Sequence, residues 1–517
     1  MSIDWMGNRS LNDLLQERLV LGPDDTFLVF ENREGEVSEQ TYAEFDARVE
    51  ECARGLNALG VEAGGRVVVH LRNSPEFLIS WFAIVRLGAM MVPSNIANTA
   101  GELEHVVGFT EASHAITEPD FCDAVQRGIE AAGTDTTVIV ARGKLAGFFA
   151  FEDLPTLSAE PAPRPPVGGD DVAELLFTSG TTSKPKAVML THANCLRAGL
   201  DTVHCLWLDR GERMLTALPL FHVNGQGMTI LAAMTVGGTA IVIEEFSASK
   251  FWKQVKRHRA TQTAVVAMQL RVLIAQPDDP TDREHDVRKL FYAINVSDQE
   301  KEAFEERFGI EVINGYGLSE AMTLCTVSPV AAPRRWPSIG LPSPTRTLLL
   351  LDEDGNEVPT GEVGEICVKG IPGRTIMLGY YKDEQATAQA IRGDLLHTGD
   401  NAYADAEGYL YFFDRKKDMI KRAGENVSAI EVEAVLADHP QIAEAAIVGM
   451  PDPIRDEAVA AVIVPVEGET LTEEQVVAYC SERLSRFKVP TIVAFEAELP
   501  KTSIGKVRKD ELRKKLG

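Results

Sequence analysis

The chain has 517 residues, more than one hydrophobic core usually holds, so two or more domains are expected. A hydrophobic content of 45% and a charged content of 25% are those of an ordinary globular protein. The net charge of −26 excludes the basic field of a non-specific nucleic-acid binder, but a local pocket of Lys and Arg could still hold a small anion.

Periodicity predicts helices over 11–19, 41–59 and 74–88 and strands over 26–31 and 66–71. That alternation over residues 1–170 suggests a parallel sheet with covering helices. The apolar run 79–92 is short and interrupted by Arg86, which predicts a buried helix. Residues 158–170 are rich in Pro and Gly and read as a surface linker. Two apolar runs, 175–177 and 188–190, then flank Thr178, Ser179, Gly180, Thr181, Thr182, Ser183, Lys184, Pro185 and Lys186. Hydroxyls, a glycine and two lysines gathered between two strands are what a polyphosphate needs, although such a loop is also compatible with a solvated surface. Pro185 stands where a Walker loop has its second glycine, and no helical pattern follows at once. A helix over 193–203 and strands over 214–220, 239–243, 263–267 and 289–294 come next.

A second dense segment is Asn314, Gly315, Tyr316, Gly317, Leu318, Ser319 and Glu320. Glycines on either side of an aromatic let backbone approach a ligand beside a stacking face. A carboxylate near a polyphosphate usually means Mg²⁺. The same text also reads as a turn at a strand end. Residues 340–412 are β-rich, with strands over 348–351, 364–368 and 409–413. Asp400, in His397-Thr398-Gly399-Asp400, could accept both ribose hydroxyls or form a plain Asx turn. The charged run 414–418 leads into a last segment with helices over 428–439 and 473–484 and strands over 442–449 and 458–465. The seven cysteines are odd in number and lack C-x-x-C spacing, which predicts reduced thiols and neither a disulfide frame nor a zinc site. With no apolar run long enough for a bilayer and no signal core at the start, the expected location is the cytoplasm.

In series, the segments at 178–187, 316–320, 398–400, 414–417 and 500–506 resemble the motifs of the adenylate-forming superfamily of acyl-CoA synthetases, luciferases and peptide-synthetase adenylation domains. The stretches 291–309, 334–340, 369–373, 420–428 and 454–458 are similar to its crotonobetaine/carnitine–CoA ligase branch. The resemblance implies an α/β plus α+β fold. Its large N-terminal domain, 1–413, would hold two α/β subdomains and a β-barrel. A hinge over 414–418 and a small mobile C-terminal lid over 419–517 would follow. It implies ATP, Mg²⁺ and coenzyme A. Thr178, Ser179, Gly180, Thr181, Thr182 and Lys186 would hold the β- and γ-phosphates, and Ser319 the α-phosphate. Glu320 would bind Mg²⁺, Tyr316 with Asn314 and Gly315 would face adenine, and Asp400 and Arg415 would hold the ribose. Lys506 would reach the reacting carboxylate. Lys417 would be the hinge, and Gly424 would leave room for pantetheine.

The acyl pocket would lie near His222, Val223, Asn224, Gly225, Gly227, Leu318 and Met322, with His222 either beside the substrate carboxylate or packed in the core. Ser183 and Ala187 replace two glycines of the family loop, and residues 293–296 depart from the family text at the adenine site. The stretch 221–228 offers Phe221 but no acid, and its glycines suggest space, so a neutral, bulky or hydrophobic acid is expected. The expected activity is activation of that acid to an acyl-adenylate with release of pyrophosphate, then transfer to CoA. The alternatives are an enzyme that hands acyl-AMP to a separate thiol acceptor and, in another class, a non-catalytic nucleotide-binding regulator. A homodimer is compatible with the text; a nucleic-acid partner or a membrane span is not expected.

Overall fold

Strands of the chain assemble into four sheets among the described residues. The structure, a computed structural model, describes residues 6–178, 185–293, 296–415, 418, 420–422, 425–452, 456–484, 486–501 and 507–517, leaving aside the side chains of residues 415, 421, 425, 426 and 456.

The first sheet runs Gly379–Tyr380, Lys186–Thr191, Val172–Thr178, Met90–Pro93, Arg66–His70, His114–Thr117, Thr137–Val140 and Phe149–Ala150. It is parallel from Val172–Thr178 outward and antiparallel at the edge that carries Lys186–Thr191 and Gly379–Tyr380. Successive side chains of a strand face opposite ways, so a parallel sheet rich in Val and Ile needs cover on both faces. Val68, Ala115 and Val138 pack with the helices Ala100–Thr110 and Cys122–Ala132. Their neighbours Val67, Val69, Ile116 and Ile139 pack on the other side with the helix Pro75–Arg86. Ser74 caps that helix and Pro75 opens it, as expected from a serine before a proline. Its Arg86 is buried because Asp46 and Glu50 meet its guanidinium.

The second sheet runs Leu341–Pro342, Thr323–Val327, Val312–Leu318, Lys289–Ala293, Gln262–Val266, Arg213–Thr216, Thr239–Ile243, Thr26–Glu31 and Val37–Thr41. Here one expectation is corrected. The strand Thr26–Glu31 does not join Arg66–His70; it pairs in parallel with Thr239–Ile243, from Leu28 opposite Ala240 to Glu31 opposite Ile243. Phe27 stacks on Tyr42 and meets Phe45 edge-on, each at 4.8 Å, so the chain's first strand is held by the core between the two sheets. Asn73 spans the same junction: its amide donates to the carbonyls of Leu218 and Ile243 and accepts from the Leu220 amide.

The β-rich region is a five-stranded antiparallel sheet that includes Thr347–Leu351, Gly364–Lys369, Leu395–Ala404 and Leu410–Arg415. The small C-terminal domain has its own five-stranded sheet, with apolar cores on both faces. It is tied to the rest at the end of Leu410–Arg415, where the Asp414 carboxylate accepts from the Ala429 amide at the start of the helix Ala429–Ala437. The fold is thus mixed α/β, with a large N-terminal and a small C-terminal domain. Among the described residues no helix is long and apolar enough to cross a membrane.

Candidate functional site

Val172–Thr178 and Lys186–Thr191 form the two arms of a hairpin, with Thr178 opposite Lys186. The Thr178 hydroxyl donates to the Lys186 carbonyl at 3.4 Å. Pairing continues to the edge strand Gly379–Tyr380, where Tyr380 lies opposite Val188. That register brings the Lys186 ammonium to 4.8 Å from the centre of the Tyr380 ring. The Tyr380 hydroxyl donates to Glu320 Oε1 at 2.9 Å. Burial, then the neighbouring Glu320, push the Tyr380 phenol well above its ordinary pKa, so it remains a donor. A lysine at the base of the phosphate-loop candidate and the proposed metal carboxylate are therefore joined through one tyrosine. Tyr380 belongs to no motif that the sequence presents; only the strand pairing reveals it.

Glu320 follows the strand Val312–Leu318, in the short 3-10 turn Ser319–Ala321. This segment is a strand and a helical turn where the sequence also allowed a simple turn. Its glycines have a packing cause. A side chain at Gly317 would meet the Thr323 carbonyl at 2.0 Å, and one at Gly315 would meet Phe291 and the Thr326 carbonyl at 2.7 Å. The two strands of the Tyr316 hairpin touch there. Asn314 is buried, and its side chain donates to the Ser338 carbonyl at 2.8 Å and accepts from the Gly315 amide, so it shapes the strand. Tyr316 reaches across to the antiparallel sheet, its hydroxyl 2.6 Å from Asp400 Oδ2. Burial and the Asp400 charge push its phenol well up. Asp400 lies opposite Arg415 in the strand register.

Buried charge holds the turn from behind. Arg346 donates to the carbonyls of Ala321, at 2.5 Å, and Thr375, and lies 3.0 Å from Asp201. Asp201 also receives Arg197 at 2.7 Å and the Thr345 hydroxyl at 2.6 Å. The Met377 amide donates to the Glu320 carbonyl at 2.7 Å. Met322 closes the turn with φ +34°, a conformation a non-glycine residue adopts only when its surroundings impose it.

The stretch 221–227 turns against this segment. Val223–Gly225 is a short helical turn that runs into a π-helix, Gln226–Leu231. The space expected beside the glycines is filled. A side chain at Gly227 would meet Thr323 at 2.8 Å and Ala198 at 3.3 Å, and one at Gly225 the Pro219 carbonyl at 2.9 Å. Phe221, Val223 and Met322 belong to one apolar core, with Leu318 packed against it. Burial pushes His222 down to about 4, so it is neutral at pH 7, and its Nε2 has no hydrogen-bond partner among the described residues. An acid does lie against the stretch. Glu174, fully buried on Val172–Thr178, accepts from Gln226 Nε2 at 3.1 Å, and burial pushes its carboxyl up to about 8. Its Oε2 and the Gln226 Oε1 are buried without partners among the described residues.

Ser179, Gly180, Thr181, Thr182, Ser183, Lys417, Gly424 and Lys506 lie outside the described residues, as does the Arg415 side chain. Residues 294–295 of the adenine-site departure lie outside them too. What is described converges from three sheets: Lys186 and Tyr380 from the first, Tyr316 and Glu320 from the second, Asp400 from the antiparallel one. The crevice beyond the carboxyl ends of parallel strands is where open α/β sheets bind their ligands.

The AMP-binding enzyme family profile matches residues 15–381, and the AMP-binding enzyme C-terminal domain profile matches 431–506. The chain belongs to the AMP-binding enzyme family. Among curated members, the crotonobetaine/carnitine–CoA ligase of Proteus mirabilis (strain HI4320) is 38% identical over 526 residues, covering 99% of this chain and all of that protein. The enzyme of the same name from Salmonella paratyphi A (strain ATCC 9150 / SARB42) is 37% identical over 517 residues, with the same coverage of each chain. Among solved members, the anthranilate–CoA ligase AuaEII in complex with anthranoyl-AMP superposes with a TM-score of 0.88 at 25% identity, over 100% of this chain and 98% of that one. ATP-bound MatB from Rhodopseudomonas palustris gives 0.86 at 27% identity, over 97% of this chain and 98% of that one. This member of the AMP-binding family is accordingly an AMP-forming acid–thiol ligase, which activates a carboxylic acid with ATP and Mg²⁺ and transfers it to CoA. Its residues fit those groups: a half-buried carboxylate, held by a phenol beside a lysine, suits a Mg²⁺ that takes its remaining ligands from phosphate and water.

Proposed function

We propose that the adenylation centre is built on the Lys186–Tyr380–Glu320 chain and the Tyr316–Asp400 pair. The join through Tyr380 is the observation that carries this reading, because it puts phosphate-binding charge and a metal carboxylate into one connected group. Glu320 would carry Mg²⁺, which neutralises the departing pyrophosphate. Lys186, with the loop residues Ser179 to Thr182, would bind the same phosphates as fixed positive charge and donors. Ser319 would meet the α-phosphate. Tyr316 would face adenine, its hydroxyl holding Asp400 toward the ribose beside Arg415. Lys506, brought in by the small domain about Lys417, would neutralise the carboxylate and the bridging oxygens as the acyl–phosphate bond forms. Loss of pyrophosphate leaves acyl-AMP. Movement of the same domain would then admit pantetheine past Gly424, and the CoA thiol would expel AMP. His222, neutral and with its Nε2 unpartnered among the described residues, suits a hydrogen bond to the acid. A cytoplasmic location fits, since ATP and CoA are supplied there and none of the seven cysteines is in a disulfide.

The acid itself calls for a second reading. The two grounds for a neutral, bulky substrate change once Gly225 and Gly227 are seen packed and Glu174 stands behind Gln226. A compact acid with a polar or cationic tail, of the kind that the curated relatives' name describes, fits these groups better: a polar tail meets the protonated Glu174 carboxyl, and a cationic one would favour its ionised form. The test supplies ATP and Mg²⁺ with a panel of acids that includes a trimethylammonium acid and its tert-butyl isostere. It follows pyrophosphate and thioester with and without CoA. The expected result is pyrophosphate release, CoA-dependent thioester, and a higher kcat/KM for the trimethylammonium acid. Preference for the isostere would restore the neutral acid. Pyrophosphate without thioester would point to a separate thiol acceptor.

A further inference from the structure

We propose that Glu365, Cys367 and His397 form a binding site for a soft divalent metal ion, of Zn²⁺ or Co²⁺ chemistry, separate from the Mg²⁺ carboxylate Glu320. The site follows from strand register. Gly364–Lys369 and Leu395–Ala404 are antiparallel neighbours, with Cys367 directly opposite His397. Glu365 precedes Cys367 by two residues and so shares its face of the sheet. A register shift between residues 365 and 367 moves Glu365 opposite Asn401 and leans its carboxylate toward the imidazole. The outcome is a compact donor set. His397 Nδ1 lies 3.4 Å from Cys367 Sγ and 3.2 Å from Glu365 Oε2, and the three donor atoms all lie within 4.8 Å of one another.

The two separations from the imidazole nitrogen match a tetrahedral ion, and the third, within 4.8 Å, can close onto one. Bonds of about 2.0–2.1 Å to nitrogen, 2.3 Å to sulfur and 2.0–2.2 Å to oxygen give donor–donor edges of about 3.3–3.6 Å. The observed N···O and N···S edges are within a few tenths of an ångström of those values. One ion placed among the three would take the imidazole nitrogen, the thiolate and one carboxylate oxygen. Cys367 is fully buried, whereas His397 and Glu365 keep 13% and 12% of their side chains exposed, so the cluster is mostly buried but reachable by solvent. A thiolate and an imidazole favour Zn²⁺ and Co²⁺, whereas Mg²⁺ prefers oxygen donors alone.

The surroundings hold the ligands in place. Glu365 Oε1 accepts from the Gly399 amide at 3.0 Å, which fixes the carboxylate with Oε2 on the imidazole side. Gly399 has φ +72° and directly precedes Asp400, and the Thr398 hydroxyl donates to the Ile366 carbonyl between the two ligands of the facing strand. A bound ion would therefore clamp the turn that presents Asp400 to Tyr316. The site needs no ATP and does not depend on the adenylation reading.

Cobalt supplies a direct readout. Protein without an affinity tag, first stripped with a chelator, is titrated with Co²⁺ alone. The expected result is a saturable sulfur-to-cobalt charge-transfer band with the visible bands of a tetrahedral ion, reached at one equivalent. Zn²⁺ should displace these bands, and millimolar Mg²⁺ should leave them. Cys367→Ser should abolish the charge-transfer band, His397→Gln should abolish tetrahedral binding, and Cys480→Ser, a buried cysteine of the small domain, should change neither. Near-ultraviolet circular dichroism reports whether each variant folds, and His397→Gln carries the test if Cys367→Ser does not. No charge-transfer band at one equivalent, or a band that survives in folded Cys367→Ser or His397→Gln, overturns the proposal.

Discussion

At the scale of single residues, the least expected group is the carboxyl of Glu174. Its burial is complete, and its folded pKa of about 8 stands far above the ordinary value of 4.5. Between those two values the folded protein holds a proton that the unfolded chain has released. Stability therefore falls as pH rises through that window and levels off above about 8. His70, His192 and His222 act the opposite way: burial pushes each from 6.5 down to about 4, so stability rises with pH between those values. The interval from pH 6.5 to 8 lies above the histidine windows, and comparison with Glu174→Gln separates Glu174 from Glu433, whose carboxyl burial also pushes up. Denaturant unfolding of Glu174→Gln in that interval should show a flatter pH dependence than wild type, by up to about 1.4 kcal/mol per pH unit, the equivalent of one proton. Equal slopes would mean that Glu174 titrates normally in the folded protein.

Single elements show which sequence signals suffice. The strands Thr26–Glu31 and Thr239–Ile243 fall on their predicted residues, because each is an unbroken apolar run between turn residues. The helix Asp298–Phe308 was invisible to the same reasoning, since it buries only Phe304 and Phe308 on a face otherwise charged. The motif residues were legible because they cluster in sequence. Their supports were not: Asp201 meets Thr345 across 144 residues, Tyr380 reaches Glu320 across 60, and Cys367 meets His397 across 30. Cysteine spacing looks only at neighbours along the chain, and so says nothing of the Cys367–His397 contact.

The brace behind the Glu320 turn rests on buried charge. Asp201 is fully buried between Arg197 and Arg346. Asp201→Asn would leave two buried guanidinium groups without a counter-charge, and should cost about 3–5 kcal/mol by equilibrium unfolding. Arg259→Ala, which removes an exposed ion pair with Asp286, should cost under about 1 kcal/mol. Comparable losses in the two variants would remove the brace from the account.

For the whole molecule, the two α/β sheets and the antiparallel sheet matter because they meet. No one of them holds the whole proposed site: Lys186 and Tyr380, Tyr316 and Glu320, and Asp400 come from three different sheets. The assignment of the first strand to the second sheet shows how the meeting is held, with Phe27, Tyr42 and Phe45 filling the seam. The order of motifs made the fold class legible. The register that joins Lys186 to Glu320 through Tyr380 was beyond any reading of neighbours, because it depends on an edge strand of two residues.

The central claim is that acid activation passes through the Glu320 carboxylate. Acid-dependent exchange of labelled pyrophosphate into ATP, compared between wild type and Glu320→Gln, tests it most directly. The amide keeps the shape of the side chain and an oxygen for the Tyr380 hydroxyl, but it loses the charge that Mg²⁺ needs. Exchange in the variant should fall by about two orders of magnitude or more, equivalent to about 2.7 kcal/mol of transition-state stabilisation. Exchange at the wild-type rate would contradict the account.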